Sequence, residues 1–405
     1  MNRKLIRRPH SEAGIVLPMT LILMALITAL TVAFVAFAST EPVISTNQMQ
    51  NAQARALAES GVERALWALT KGKTQPGATG ALASPLPNPV PAPYDGTYVT
   101  VGVGGFTVTV TNGAAPNERT ITAVGYVPNN INPTAIKKIQ VTAMDVPFIP
   151  PPCAVCAGGE SPPGTTTQMQ IGGSASITAA PGLLNANYCS GVTPSAAAYA
   201  SGTINTNGTP NLTAPTGGSA IAQNQPNTNF TGTNGYGGFL FTDDQMDILK
   251  ALAKANGTYY QGSQTWTSPP PSGIIFVDTP SGNPLSANSP SSDLITVDVH
   301  GSWTAGQNWS GWLIVKGSVD ISGNATMTGL IYAQNDLTLH GNGNGSITGA
   351  VISTNRVDSS YTNIDTDDTG NAPVSYNCPA ARDGGGKISQ SFFVKPGTYR
   401  EVSGT

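Results

Sequence analysis

Charge is what this chain has least of. Only 10% of its 405 residues are Asp, Glu, Lys or Arg, where about 25% is usual for a soluble globular protein. The balance of 19 basic against 22 acidic residues leaves a net charge of -3. After Arg8 the basic residues are scattered, apart from the adjacent Lys137 and Lys138, so no basic field exists to hold nucleic acid, and that partner class is not expected. The four cysteines include one CxxC, with no second CxxC and no His cluster to complete a zinc site. Disorder is excluded as well, because 39% of residues are hydrophobic and β-branched residues recur in periodic clusters. What is abundant is Gly (46) and Pro (32) among Asn, Ser and Thr. That mixture suits many short strands joined by tight turns, in a chain long enough for two or three domains.

One long apolar run stands out against this background. Arg3, Lys4, Arg7 and Arg8 come first, then Gly14, then a charge-free stretch from Ile15 to Ala38. As a helix it would span about 36 Å, enough to cross a bilayer's hydrocarbon core. Three readings compete. A cleavable secretory signal fits Ala36-Phe37-Ala38, but the run is about twice the usual 7–15 residues. A plain anchor with its basic flank in the cytoplasm fits the positive-inside rule. In the third reading the basic leader is cut after Gly14 and the helix is kept.

The residues downstream favour the third. From Ser45 to Leu69, Ala54, Ala58, Val62, Ala65, Leu66 and Leu69 form one apolar stripe at helical spacing. Arg55 and Glu59 make an i,i+4 pair, and Lys71-Gly72 supplies a stop. Both segments then form a single rod of about 84 Å, with Pro42 expected to bend it. A signal peptide would not be followed by its own continuation.

With its basic leader, Gly14, the helix from Ile15 and the segment ARALAESGVERAL at 54–66, the chain resembles the type IV pilin-like superfamily, most closely the PilX-type pilus-assembly branch. The resemblance covers about the first 70 residues. It implies cleavage between Gly14 and Ile15 by a prepilin peptidase, residence in the bacterial inner membrane, and later packing of the helix among other pilin-like subunits. Major pilins of the family carry a glutamate at the fifth mature position, which here is Met19. A carboxylate in a bilayer costs on the order of 2.5–3.5 kcal/mol and is kept where it has a partner. Its loss suits a minor subunit near a filament tip, with no predecessor to neutralise. A minor pseudopilin of type II secretion is an alternative, although the family's K-type subunit carries a largely helical added domain and this chain's is β-rich.

Residues 73–93 read as a Pro/Ala/Gly linker, extended and semi-rigid. Residues 94–147 read as a four-stranded antiparallel meander. Val99, Val101, Val103, Phe106, Val108 and Val110 are its expected inward residues, Gly104-Gly105 its first hairpin turn, and Ile139, Val141 and Ala143 part of its buried face. The amphipathic helix is the nearest cover for that face. Residues 148–166 are a proline-rich hinge. It carries Cys153 and Cys156, which with Cys189 and Cys378 read as structural disulfides in an exported chain. Four cysteines allow three pairings, and spacing does not choose among them.

From 167 to 405 an irregular repeat begins at Gly311, Gly329 and Gly349, spaced 18 and 20 residues. Leu313, Ile331 and Val351 align, as do Val319, Leu337 and Val357, and Met327 with Ile347. Alternating strands at this period, with Gly and Asn at corners, predict a parallel β-solenoid. A helix at Asp243–Ala255 is placed to close one end or side. Catalytic groups are sparse: Asp320 and Asp336 fall at non-equivalent repeat positions, and Asp278, Asp298, His300 and His340 stand singly. No enzyme activity and no cofactor are expected. Asp365, Asp367 and Asp368 before Gly370 could converge on calcium, without EF-hand spacing or a distal Glu. Trp303 and Trp309, in a loop, are candidate exposed aromatics for adhesion.

The reading is thus an α+β protein. A transmembrane and amphipathic helix (15–72) follows a leader (1–14), packs on a small antiparallel sheet, and precedes an extracytoplasmic β-solenoid domain. Its expected role is that of a minor pilus subunit, assembling through its helix and displaying a β domain on the pilus or cell surface. The alternative from another class is a membrane-anchored carbohydrate-binding or polysaccharide-active β-helix protein.

Overall fold

The computed structural model describes residues 13–75, 77–83, 85–115, 117–145, 148–159, 169–179, 189, 194–233, 236–300, 303, 307–340, 345–357, 366–368, 373–384 and 391–402. It is a mixed α/β structure with one long N-terminal helix and many strands in sheets. The helix α1 (Ala13–Thr74) is continuous through Pro18 and Pro42. Its C-terminal third is amphipathic, as the spacing predicts. Ala54, Ala58, Val62, Ala65, Ala68 and Leu69 are buried, while Leu66 is half-buried at the margin.

These small residues let the helix lie close on an antiparallel sheet. Its strands are β1 (Val99–Val101), β2 (Gly104–Asn112), β3 (Glu118–Val127) and β4 (Ala135–Asp145). Phe106, Val108, Val110, Ile121, Ala123, Ile139, Val141 and Ala143 face the helix and are buried. Gly125 marks the closest approach, where an added Cβ would lie 2.0 Å from the Ala54 carbonyl oxygen. The sheet therefore needs glycine there for steric reasons.

The predicted turn at Gly104-Gly105 is displaced. Val101 pairs with Gly104, so the turn is Gly102-Val103, with Gly102 at φ 55° in the first position of a primed turn. The expected inward set fails at this end for the same reason. Val103 sits in the turn and Val101 lies on an edge strand, and both are exposed. The linker is also corrected: instead of an extended spacer, it folds back on α1. Leu82 is fully buried there and donates its N–H to the Ala68 carbonyl at 2.9 Å.

Beyond β4 the pairing becomes parallel, save for one short antiparallel pair and the strands that return to β4. A first group of strands comprises β5 (Cys153–Ala157), β6 (Met169–Ile171), β7 (Ser176–Thr178), β8 (Ala196–Ala200), β9 (Ile204–Thr206), β10 (Asn211–Thr213) and β11 (Ser219–Ala222). The predicted hinge thus ends early, since β5 is a fully buried core strand. A crossing segment follows, with α2 (Thr228–Thr231), the short pair β12 (Gly232–Thr233) and β13 (Tyr236–Gly237), and α3 (Asp243–Asn256). Thr242 and Gln245 form a capping box at the start of α3, and Gly257 closes it at φ 71°.

The second group is β14 (Tyr259–Gln261), β15 (Gln264–Trp266), β16 (Gly273–Asp278), β17 (Thr296–Val299), β18 (Asn308–Val315), β19 (Ser318–Ile321), β20 (Thr326–Ala333), β21 (Leu337–Leu339), β22 (Ser346–Ser353), β23 (Thr366–Asp368) and β24 (Pro373–Tyr376). These strands alternate between two all-parallel sheets. The predicted alignments of Gly311 with Gly329 and Gly349, Leu313 with Ile331 and Val351, and Met327 with Ile347 are the observed register. Val319 pairs with Leu337, but Leu337 then pairs with Thr366 and not Val357, because residues are inserted after β22.

Glycines stack where the long strands bend. A Cβ on Gly311, Gly329 or Gly349 would meet the carbonyl oxygen of the preceding glycine at 2.0, 1.9 or 1.8 Å. The two groups meet at a seam, where β22 and β23 pair with β5 and β6, and β24 with β7. Beyond it, α4 (Cys378–Asp383) packs against β20 and β22, and α3 lies along β14 and β16. The predicted helix therefore packs against the last two strands at the β14 end of that sheet.

The predicted second domain does not run to residue 405. Strands β25 (Phe392–Val394) and β26 (Arg400–Glu401) return to the first sheet and pair antiparallel with β4. The parallel region is thus inserted between two strands of the helix-covered sheet. The returning segment is strapped down by Lys137–Glu401 at 2.5 Å, by Tyr399 Oη donating to Glu59 at 2.9 Å, and by Lys395. The last reaches Glu118 of β3 at 3.1 Å and Asp244 of α3 at 2.5 Å.

Candidate functional site

The most exposed apolar surface is the lower half of α1. Val16–Val35 has a mean hydropathy of 2.3 and none of it is buried, so by length and composition it can cross a membrane or serve as a signal. Even its hydroxyls are turned inward. Thr20, Thr28 and Thr31 each donate to a carbonyl one turn back, at 2.9, 2.7 and 2.8 Å. The helix therefore presents almost no unsatisfied polar group sideways, which is what an apolar surrounding demands. Met19 is 69% exposed on this surface. The exposed stripe continues past the spanning length through Val43, Ile44 and Met49. Ala58 and Val62, predicted for the same helix, are buried against the sheet instead. Gly14 and Ile15 lie in the first turn of α1, and residues 1–12 of the predicted leader fall outside the described residues.

A second candidate lies on the sheet containing β15, β17, β19 and β21. Register places Asp298 beside Asp320, and Asp320 beside Thr338. His300 Nδ1 is 2.7 Å from Asp298 Oδ1, and His340 Nε2 is 2.8 Å from Asp320 Oδ1. All four side chains are substantially exposed. The sequence reading that left Asp298, His300 and His340 single, and Asp320 matched to no other carboxylate, is corrected here. The signal was present in Val297-Asp298-Val299-His300, Val319-Asp320-Ile321-Ser322 and Leu337-Thr338-Leu339-His340. These segments align once the strand spacing of about 22 and 18 residues is applied.

The tryptophan expectation is overturned. Trp303 is 5% exposed and Trp309 1%. Trp309 is the second residue of β18 rather than part of a loop, and its indole donates to the Pro271 carbonyl at 3.1 Å, so both its ring and its polar edge are used internally. Trp312 is equally buried, beside Phe148 and Phe241, with its indole on the Ala381 carbonyl.

Of the three predicted calcium ligands, Asp365 lies outside the described residues, while Asp367 and Asp368 belong to strand β23 and not to a loop. Asp368 is buried in register with Leu339, and Asp367 pairs with Thr338. The described part of this segment, Thr366–Asp368, is strand and not turn. Among the described residues no group of three or more His, Cys, Asp or Glu is placed to hold a metal. The cysteines pair as Cys153–Cys156 and Cys189–Cys378. The second bridge ties the connection between β7 and β8 to the start of α4, close to the seam.

One carboxylate is fully enclosed. Asp278, at the end of β16, contacts Lys250 of α3 and lies 3.3 Å from Lys316 Nζ. It also accepts from Tyr259 Oη at 3.1 Å and from the Thr279 N–H at 3.0 Å. Burial, with the Asp278 charge behind it, pushes the Tyr259 hydroxyl up to about 12.

No family model matches this sequence, and no curated protein matches it. Among solved structures it is similar to the competence-associated pilin ComZ from Thermus thermophilus, at 13% identity over 88% of this chain and 97% of that one. The TM-score is 0.23, too low for the likeness to bear on function.

Proposed function

We propose that this chain is a non-enzymatic minor subunit of a type IV pilus or related filament, of the PilX-like kind. The observation that carries the reading is the division of α1. One continuous helix has its upper third buried under an antiparallel sheet and an apolar lower half with no burial at all. Such a helix waits in a bilayer after a prepilin peptidase cuts between Gly14 and Ile15. On assembly it exchanges lipid for the helices of neighbouring subunits, driven by side-chain packing. Met19, uncharged where a major subunit carries a carboxylate, suits a minor position in the filament. The inserted parallel region is a β-solenoid displayed outside the cell, supported by its 18- and 20-residue recurrence and stacked glycine corners. It needs no cofactor for this role.

The test is the N-terminus of the mature protein. A start at Ile15 and loss of piliation on deletion are the expected results. A start at Ser39, or an intact Met1, overturns the filament reading. Loss of secretion with normal piliation would assign the chain to a pseudopilus instead.

A second reading rests on Asp298 and Asp320. Neighbouring strands lie about 4.8 Å apart, near the carboxyl separation of about 5–5.5 Å used by retaining glycosidases. A membrane-anchored polysaccharide-active protein would lose turnover on Asp298→Asn or Asp320→Asn. If the wild-type chain turns over no polysaccharide, this reading is discarded.

A further inference from the structure

Lys316 is a buried cation. Its side chain is 5% exposed, yet its ammonium has three donors to place. Among the described residues it meets Asp278 Oδ1 at 3.3 Å and the Phe276 ring at 5.7 Å. A charge-assisted hydrogen bond is normally about 2.7–2.9 Å long. Asp278 itself has no exposure. The two residues directly follow the registered pair Val277 and Val315 on adjacent parallel strands, so backbone geometry holds their side chains together. Burying an ion pair is expensive, since both charges give up their hydration.

We propose that Lys316 and Asp278 are joined by an intramolecular amide between Nζ and Cγ. The ammonium passes one proton to Oδ1, and the freed Nζ lone pair attacks Cγ, forming the C–N bond. Charge building on Oδ2 is met by the Lys250 ammonium and the Tyr259 hydroxyl, both already on that oxygen. A second proton moves from nitrogen to Oδ1, the C–Oδ1 bond breaks, and water leaves. Of the three ammonium hydrogens, one stays on the amide and two depart with Oδ1, so no activating group, oxidant or metal is consumed. Enforced proximity supplies the driving geometry, as effective molarities in such arrangements reach about 10⁵ M or more. The product replaces a buried ion pair with a neutral amide. Lys250, whose side chain is 20% exposed, remains charged beside it. The bond would tie β16 to β18 covalently, across two strands otherwise held by their backbone ladder.

The test is mass spectrometry of the full chain purified in detergent. The wild-type mass should be one water below that calculated from its observed N-terminus with two disulfides. Trypsin should fail to cut after Lys316, and a branched peptide should join the segments holding Asp278 and Lys316. Lys316→Arg should restore the full calculated mass. The wild-type peptide map decides the matter even if that variant does not fold. Full mass with clean cleavage after Lys316 would overturn the proposal, as would a branch at Lys250.

Discussion

The helix-covered sheet and the parallel region are held together in different ways. In the first, β1 to β4 each pair with the next strand in sequence, and one amphipathic helix face covers them. In the second, strands pair with partners between 17 (Tyr259 with Phe276) and 43 (Cys153 with Ala196) residues away, and a seam joins β22 to β5, segments separated by most of the region. The first region can lose one contact and keep its neighbours in place through short connections. The second depends on devices that fix distant segments against each other. These are a covalent bridge near the seam, glycines that let successive corners stack, and a terminal strap returning to the first sheet.

The bridge should show the largest difference between the regions. Cys189–Cys378 closes a loop with a sequence separation of 189, for which chain entropy gives about 5 kcal/mol. Replacing both cysteines with serine should lower the urea midpoint of the parallel region, followed by the fluorescence of Trp266, Trp303, Trp309 and Trp312. The helical signal of α1 should hardly move. Removing Cys153–Cys156, separated by three residues, should cost about 2 kcal/mol on the same basis. Equal losses from the two bridges would show that the seam is not where stability is held.

Glycine substitution comes next. Gly329→Ala would place a methyl 1.9 Å from the Gly311 carbonyl at a φ of 137°, a clash and a backbone strain worth about 3 kcal/mol. Gly125→Ala in the first region meets the Ala54 carbonyl at 2.0 Å and should cost a similar amount. Hydrogen exchange distinguishes them. Gly329→Ala should deprotect β18, β20 and β22 while sparing β2 to β4, and Gly125→Ala should do the reverse. Exchange that rises everywhere in both variants would mean the two regions unfold as one unit.

This contrast also explains what could be read from the residues. Alternation at Phe106, Val108 and Val110 and helical spacing at Ala54, Ala58 and Val62 are local patterns, and both faces they define are observed. The repeat from Gly311 to Gly349 was legible because three copies follow one another in sequence. The seam was not legible, since periodicity says that a strand has parallel neighbours without saying which segments supply them. Trp309 misled because a Gly- and Asn-rich surrounding reads as loop, whereas its indole is tucked onto Pro271. Asp298 and His300 are two residues apart and meet locally, whereas Asp320 and His340 meet only through the β19–β21 register, which sequence distance does not show. Lys316 was passed over as one scattered base among others, and only burial distinguishes it.

The strap joining the regions should give the next effect. Lys395→Met removes a side chain that touches both Glu118 and Asp244. Asp244 is half-exposed and Lys395 partly so, and solvent screening holds that arm to about 1 kcal/mol or less, while Glu118, at 7% exposure, loses the cation beside its carboxylate. The sharper readout is orientation. Distance distributions between spin labels on β3 and α3 should broaden in the variant while each region's own unfolding midpoint stays put. Unchanged distributions would mean that β25 and β26 fix the regions without this clasp.

The smallest expected effect is the pH response of the same strap, and its sign follows from two shifted groups. Hydrogen bonding to Lys137 holds the Glu401 carboxyl below its ordinary 4.5. That contribution is present above the unfolded value and is lost as pH falls through the lower folded one. Hydrogen bonding to Asp244 first, and then to Glu118, raises the Lys395 ammonium above its ordinary 10.5. Its contribution is complete below that value and disappears as pH rises through the folded one. The strap should therefore be most secure between about pH 5 and 10, loosening at its Glu401 end in acid and at its Lys395 end in base. Hydrogen exchange of residues 392–401, corrected for intrinsic rates, should show that order of release. Loosening of both ends together at one extreme would assign the strap's hold to its backbone pairing with β4 and not to its charges.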